Sequence, residues 1–411
     1  MTRRRTWFGT AVRRTPAMAA ALATLAATVL AGAVPAGAAP AWTTVAPGVT
    51  YRQYDLPAAA GRARAHVLNV DLGHGRVRLG LLHPGAVAAR APLSSLADAR
   101  RAVAGINGDF FNISETQHPG VTATGASVGP AIADGKVLKG AVPAGQRFGP
   151  ELPPGTGTGA VVGVDTGGRA RVDTLSLAGS VSALGRRLAL RGLNQYALPE
   201  NAIGAFTSDW GRVSRARAVC GTDTDRAAPC ATRTYEVTVR RGQVVSASAR
   251  PGSGAVTPGS TVLLGREAGA ARLRTLRVGE RVTVRYGLDS ASSAAYRFAV
   301  GGYPVLAGGR ARTGLDGRVA AVRTAVGIGA GGRRVFLFAL DGAAAYRRGL
   351  TVAEVAAALR ALGATEGFSL DGGGSTTLVT RKPSAARVTV RNRPSGGAER
   401  PVPNGIGVFT R

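Results

Sequence analysis

Lysine is almost missing from this 411-residue chain. Only Lys136, Lys139 and Lys382 occur, beside 49 Arg, and together these face 23 acidic residues. The formal net charge of +29 would by itself point to nucleic acid. Polyanion binders use lysine as a phosphate point charge as well as arginine. Here the arginines are scattered singly or in pairs, so the charge reads as a dispersed surface bias and no nucleic-acid partner is expected. Histidine is also scarce: His66, His74, His83 and His118 show no zinc-type spacing. A Gly-x-Ser-x-Gly elbow and a Walker loop are both absent, so serine-hydrolase and nucleotide-dependent chemistry lack support. Aromatics make up only 5%. The 59 glycines carry no Gly-X-Y period, which excludes collagen, and 45% hydrophobic residues exclude a disordered polycation.

The first 39 residues have the pattern of an export signal. Arg3, Arg4, Arg5, Arg13 and Arg14 stand without any acid, residues 17–34 are apolar and rich in Ala, and Pro35-Ala36-Gly37-Ala38-Ala39 offers small residues for cleavage. The Arg pair before Trp7-Phe8 matches a twin-arginine signal only in part. Cleavage near Ala38 or Ala39 leaves a net charge of +24 and predicts a secreted protein. No other stretch is long and apolar enough to span a bilayer, so stable membrane insertion is not expected after the signal leaves. The two cysteines, Cys220 and Cys230, enclose nine residues. In an oxidising compartment such a pair most simply closes a surface loop as a disulfide. Two free thiols or half of a metal site are the alternatives, and no His stands near the pair in sequence.

The pattern of apolar residues predicts an α+β fold: a mixed β-sheet core with few helices and a β-rich inserted segment. Strand-like alternation covers Val45 to Tyr54, Ala65 to Leu72 and Arg76 to Leu82. Pro92 to Arg101 reads as helix, followed by a strand ending at Asn107. The Pro- and Gly-rich stretch 140–160 is the best boundary. The expected organisation is therefore 1–39 signal, 40–150 first part of the main domain, 151–290 β-rich insertion without a clear helix, and 291–411 second part. In the last part, Phe298 to Leu306 and Ala320 to Ile328 read as strands, and Arg334 to Leu340 as a buried one. Thr351 to Leu362 is the clearest helix, with Thr351 and Glu354 set for a capping box and Gly363 as its stop.

Two segments carry chemistry. Asp371-Gly372-Gly373-Gly374-Ser375-Thr376 follows a short strand; successive glycines let N–H groups converge on an anion, and Ser375 and Thr376 add hydroxyls. A plain hairpin turn is the alternative. Asn107-Gly108-Asp109-Phe110-Phe111-Asn112 packs two amides and a carboxylate around an aromatic pair. Phe110 and Phe111 point to opposite sides of a strand, so one belongs to the core and the other is free to line a cleft. Arg323, in Arg323-Thr324-Ala325-Val326-Gly327, is a candidate to clamp a phosphate, and among 49 arginines an ordinary surface residue is the stronger alternative. His118 is the one histidine near a candidate site.

In order, Asn107–Asn112, Gly301-Gly302-Tyr303-Pro304-Val305-Leu306, Arg323–Gly327, Ser369–Thr376 and Asn392–Gly405 resemble the phosphodiester glycosidase family over residues 60–411. The resemblance implies a secreted hydrolase that cleaves the glycosidic bond of a sugar-1-phosphodiester, with a sugar-phosphate or cell-envelope glycan as substrate. The roles it implies are Asp371 and Asp109 as carboxylates, one of them nucleophile or base, with Arg323, Gly372, Gly373, Gly374, Ser375 and Thr376 holding the phosphate. Arg400 is a second phosphate contact, Asn107, Asn392 and Asn404 position sugar hydroxyls, and Glu366 and Asp341 are reserve acids. No cofactor is implied; clustered Asp and Asn oxygens leave Ca²⁺ open. A non-catalytic glycan-phosphate binder and a phosphodiesterase cutting the other side of the phosphate are the rival readings.

Overall fold

The computed structural model describes residues 41–410, so the export signal lies outside the described residues. Three sheets dominate, with a few short helices, and the fold is α+β. The first sheet has eight antiparallel strands in the order Thr43–Ala46, Val49–Ala58, Gly61–Asp71, Arg334–Leu340, Thr324–Gly329, Glu366–Leu370, Tyr303–Ala307 and Arg310–Ala311. A five-stranded antiparallel sheet runs Val388–Val390, Leu378–Arg381, Ala104–Asn107, Gly405–Thr410 and Val77–Leu82. The third sheet holds the eleven remaining strands. Nearly all its pairs are antiparallel; Arg186–Leu193 and Ile203–Phe206 run parallel. Residues 166–295 begin and end side by side, because Tyr296 pairs with Asp165, and they contribute Tyr196, Phe206, Trp210 and Leu264 to a core cluster shared with the eight-stranded sheet.

Burial follows the strand pattern. Arg334–Leu340 is buried at every position but its first, as its unbroken apolar run requires. Leu68, Leu337, Val326, Ile106, Leu378, Val408, Val162 and Phe298 come from all three sheets and share one apolar cluster. That common core fixes how the sheets meet. A second cluster covers the other face of the eight-stranded sheet, where helix Val352–Ala361 packs Val352, Val355, Ala356 and Leu359. Leu359 seats over the cross-strand pair Gly327 and Gly367, where an added Cβ would come within 3.3 Å and 3.0 Å of it.

The expected strands form, with some shifts. Val45 to Tyr54 is split by a turn at Gly48, whose φ is +74°. Phe298 to Leu306 is not one strand: it breaks at Gly302, so that Tyr296–Gly301 joins the largest sheet and Tyr303–Ala307 the eight-stranded one. The segment expected to lack a helix contains a short one, Ala268–Leu273, which buries Leu273 against neighbouring strands. Its six residues are too few to show a helical period clearly. The capping box at Thr351 and Glu354 is complete, with Thr351 N to Glu354 Oε2 at 2.7 Å and Glu354 N to Thr351 Oγ1 at 3.2 Å.

Asn392 is buried and its amide is wholly committed to backbone. It accepts from Leu378 N at 2.8 Å and donates to Thr376 O at 2.9 Å and Leu340 O at 3.3 Å. Thr351→Ala is expected to cost about 1 kcal/mol, and Asn392→Ala about 2–4 kcal/mol because three buried backbone groups lose their partner. Urea titrations of both variants check the ranking; equal midpoints would remove the pinning role of Asn392.

Candidate active site

The site forms where strand ends from two sheets meet. Ala104–Asn107 delivers Asn107, Gly108 and Asp109; Glu366–Leu370 delivers Asp371. The backbones join directly, Asp371 N donating to Gly108 O at 2.9 Å. The fully buried Asn107 amide ties the joint: Nδ2 donates to Asp371 O at 2.7 Å, and Oδ1 accepts from Thr324 Oγ1 at 2.8 Å and Thr377 N at 3.1 Å. Asn404 supports the other side, its Oδ1 accepting from Asp109 N at 2.9 Å and its Nδ2 donating to Ser127 Oγ at 3.3 Å. Asn107, Asn392 and Asn404 therefore brace the backbone with their amides.

Asp109 is sealed, at 2% exposure. Its Oδ1 accepts from Phe110 N at 2.8 Å and its Oδ2 from Gly129 N at 2.6 Å. Gly301 makes room: a Cβ there would lie 2.6 Å from Asp109 Oδ2 and 2.7 Å from Gly129 Cα. Burial pushes the Asp109 carboxyl above its ordinary range, while the Lys139 charge, the Gly129 and Phe110 N–H groups and the Ser127 hydroxyl pull it back. Asp371 keeps some exposure. Desolvation of its carboxyl is the main cause that pushes it up to about 7; the Ser375 hydroxyl and Arg400 oppose this, and the Asp109 charge adds to it. Two carboxyl groups thus sense each other, one sealed and one within reach of solvent.

The glycine turn is tighter than an open anion cradle. Gly373 N donates to Val322 O at 2.7 Å, and Ser375 N and Thr376 N each close back on Gly372 O and Gly373 O at 3.2 Å. Gly373 takes a φ of +59°, and a Cβ on Gly374 would collide with the Arg400 guanidinium. Ser375 is fully buried and its Oγ accepts from Arg400 Nη1 at 3.3 Å. Thr376 Oγ1 shares a hydrogen bond with Thr324 Oγ1 at 3.1 Å. Arg400 thus contacts Ser375 and its charge acts on the Asp371 carboxyl. Arg323 points elsewhere: Nε donates to Leu350 O at 3.2 Å and Nη2 to Val319 O at 2.7 Å. Of the reserve acids, Glu366 accepts from Gly308 N at 2.9 Å. Asp341 is bonded to His66 Nε2 at 3.0 Å, and His66 Nδ1 in turn faces Tyr51 Oη at 2.7 Å.

Several residues here were not anticipated. Arg147 is buried and lies over the rings of Phe110 (4.8 Å) and Tyr303 (5.7 Å), which are themselves stacked at 5.7 Å. One guanidinium nitrogen bonds Pro150 O, while Nη2 is buried without a partner, as is the Tyr303 hydroxyl. Burial lowers the Arg147 pKa, and Asp109, Tyr303, Tyr196 and Asp371 pull it back, so this cation faces both carboxyl groups. Nothing in the sequence around Arg147 marks it among 49 arginines. Phe110 and Phe111 are both core, in different apolar clusters, so neither is left to line a cleft. A cleft of about 580 Å³ opens beside Tyr303, walled by Leu152, Pro153, Pro154, Val319 and Val352.

Cys220 and Cys230 form a disulfide. A histidine does stand near them in space, although none is near in sequence: His118 faces the pair. Its Nδ1 is 2.6 Å from Glu115 Oε1 and its Nε2 3.0 Å from Ala228 O, and buried Arg217 lies 2.8 Å from Glu115 Oε1. The disulfide loop reaches the site through Arg226, which donates to Arg147 O at 2.7 Å. For a calcium ion the oxygens at Asp109, Asn107 and Asn404 fit poorly. Each already accepts an N–H or O–H donor, and calcium needs six to eight free oxygens. Among the described residues no helix is long and apolar enough to cross a membrane.

The phosphodiester glycosidase family model matches residues 233–409, which include Asp371 and Arg400 and leave out Asn107 and Asp109. No curated protein matches the chain. Among solved structures, a hypothetical protein from Synechocystis aligns with a TM-score of 0.68 at 21% identity over 91% of this chain, which spans only 64% of that structure's length. A protein from Burkholderia pseudomallei described as exported aligns with a TM-score of 0.65 at 22% identity, over 85% of this chain and 74% of its own. The zebrafish N-acetylglucosamine-1-phosphodiester α-N-acetylglucosaminidase catalytic domain, auto-inhibited by its pro-peptide, aligns more loosely, with a TM-score of 0.43 at 16% identity over 91% and 87%. The chain therefore bears a distant, family-level resemblance to the phosphodiester glycosidases and shares a fold with two bacterial proteins.

Proposed function

We propose that the protein is a secreted phosphodiester glycosidase acting on a sugar-1-phosphodiester, such as a cell-envelope glycan phosphate. The observation that carries this reading is the pairing of Asp371 and Asp109 at the sheet junction, flanked by Arg400 and Arg147. The family resemblance supports it. In the reaction, water adds to the anomeric carbon and the bond from that carbon to the phosphate oxygen breaks. The products are a free sugar and a phosphomonoester. A phosphomonoester leaves readily, since its second pKa is about 6, so the demand falls on charge stabilisation and one well-placed proton.

Roles follow from accessibility. Asp371, partly exposed and pushed up to about 7, holds a proton near neutrality and gives it to the departing phosphate oxygen. The attacking water restores that proton. Asp109 is sealed behind and acts through its charge, which adds to the burial that keeps Asp371 protonated and favours an oxocarbenium-like centre. Arg400 and Arg147 hold the phosphate; the unpartnered Nη2 of Arg147 and the hydroxyl of Tyr303 are the open donors. Arg323 supports the Leu350 carbonyl and that of Val319, which lines the cleft beside Tyr303.

Incubation with a panel of sugar-1-phosphodiesters is expected to release free sugar. Release of sugar phosphate would mean cleavage on the other side, and binding without turnover would make this a glycan-phosphate receptor. With activity in hand, kcat/KM should fall as pH rises through about 7. Arg147→Ala should lower kcat/KM about 10²-fold, while Arg323→Ala should act mainly on stability; the reverse order would return the phosphate to Arg323.

Asp371→Asn is expected to lower kcat about 10³-fold and, separately, to change the pH dependence of stability. The folded pKa of Asp371 lies above the unfolded one, so between about 4 and 7 the native state holds a proton the unfolded chain has lost. Its stabilising share is present at low pH and lost as pH rises through 7. Asn removes that loss, so the variant should gain on the order of 2 kcal/mol over the parent at pH 8 relative to pH 5. Parallel stability curves for the two proteins would place the Asp371 carboxyl in an ordinary, solvated setting.

A further inference from the structure

Lys139 ends the strand Lys136–Lys139 and is 1% exposed, a rare position for the most strongly hydrated side chain. Its Nζ donates to Gly140 O at 2.7 Å, Val128 O at 3.3 Å and Gly129 O. Three carbonyl acceptors match the three N–H groups of an ammonium; a neutral amine would turn its lone pair onto one of them. The peptide between Val128 and Gly129 is gripped at both ends. Its oxygen takes Lys139, and its N–H points at Asp109 Oδ2 at 2.6 Å. Such a chain of hydrogen bonds polarises the peptide and strengthens the bond to the carboxylate.

We infer that Lys139 is a positioning residue for the acid pair: through the Val128–Gly129 peptide it fixes Asp109 in place and favours its carboxylate form beside Asp371. This rests on the reading of Asp371 as proton donor. The charged and titratable groups around the pair are few. Arg147 acts on both acids, Tyr196 on Asp109 and Arg400 on Asp371, while Lys139 acts on Asp109. Burial pushes Lys139 down to about 7 and Asp109 up, and each group's charge opposes the shift of the other, so the charged form of one favours the charged form of its partner. Without the cation, only the Gly129 and Phe110 N–H groups, the Ser127 hydroxyl and Arg147 still oppose burial at Asp109, which takes up a proton more readily. The part of the upward push on Asp371 that comes from the Asp109 charge then shrinks, and burial of Asp371 remains.

The test uses the whole protein with ¹³C-carboxyl-labelled aspartate, in the parent, Lys139→Gln and Lys139→Met. Loss of the cation should move the Asp109 titration up and the Asp371 titration down, each by about one unit. The alkaline limb of kcat/KM should move down with Asp371, with KM changed less than about twofold. Unmoved carboxyl titrations in both variants would overturn the inference. Shifted carboxyls in a protein that hydrolyses no sugar-1-phosphodiester would keep the role of Lys139 and remove the proposed reaction instead. If neither variant folds, lysine-labelled protein answers the question, since the chain has only three lysines. Asp109→Asn must lower the Lys139 titration and leave those of Lys136 and Lys382; an unmoved Lys139 signal would refute the coupling.

Discussion

One buried amide holds the site together. Asn107 bonds the Asp371 carbonyl, the Thr324 hydroxyl and the Thr377 amide, and so it stitches the end of one sheet to two strands' worth of another. Remove it and three buried polar groups lose partners at once. The apolar core shared by the three sheets brings the strand ends within reach, but apolar contact has no direction. Directional hydrogen bonds from Asn107, Asn404 and Asn392 convert that proximity into a fixed geometry.

On this frame sits an arrangement that opposes stability. Asp109 and Asp371 are like charges in a poorly hydrated place, and both are pushed toward the neutral form by burial. Arg147, Arg400 and Lys139 offset part of that cost without neutralising the site. Perturbed acids with cations on several sides are what a reaction with moving charge needs, and what a purely structural core avoids. The arginines divide accordingly. Arg323 is consumed by backbone carbonyls, and Arg147 keeps a buried nitrogen unpartnered.

The sequence made the secondary structure legible wherever period and punctuation agreed. Helix Val352–Ala361 had its capping box, its apolar stripe and its glycine stop, and strand Arg334–Leu340 had an unbroken apolar run. The break at Gly302 was hidden because the residues on both sides are equally apolar; only the tertiary pairing sends Tyr296–Gly301 and Tyr303–Ala307 to different sheets. Asp371 and Asp109 could be singled out because acids are scarce and each follows a strand. Arg147 and Lys139 could not. Their importance lies in burial beside a carboxylate, which no local pattern encodes, although the rarity of lysine was a signal in plain view for Lys139. His118 likewise meets the disulfide only through folding.

The distances along the chain between partners have a kinetic meaning. Asn107 and Asp371 are 264 residues apart, and Asp109 and Asn404 are 295 apart. Ordering such long loops must precede the contacts that reward it, so pairings of this kind form slowly and late. The site belongs to the last closure of the chain, when Gly405–Thr410 docks beside Ala104–Asn107. Until that closure the acids lie apart and hydrated, with ordinary affinities for protons. A partly folded chain therefore carries every residue of the site and none of its chemistry.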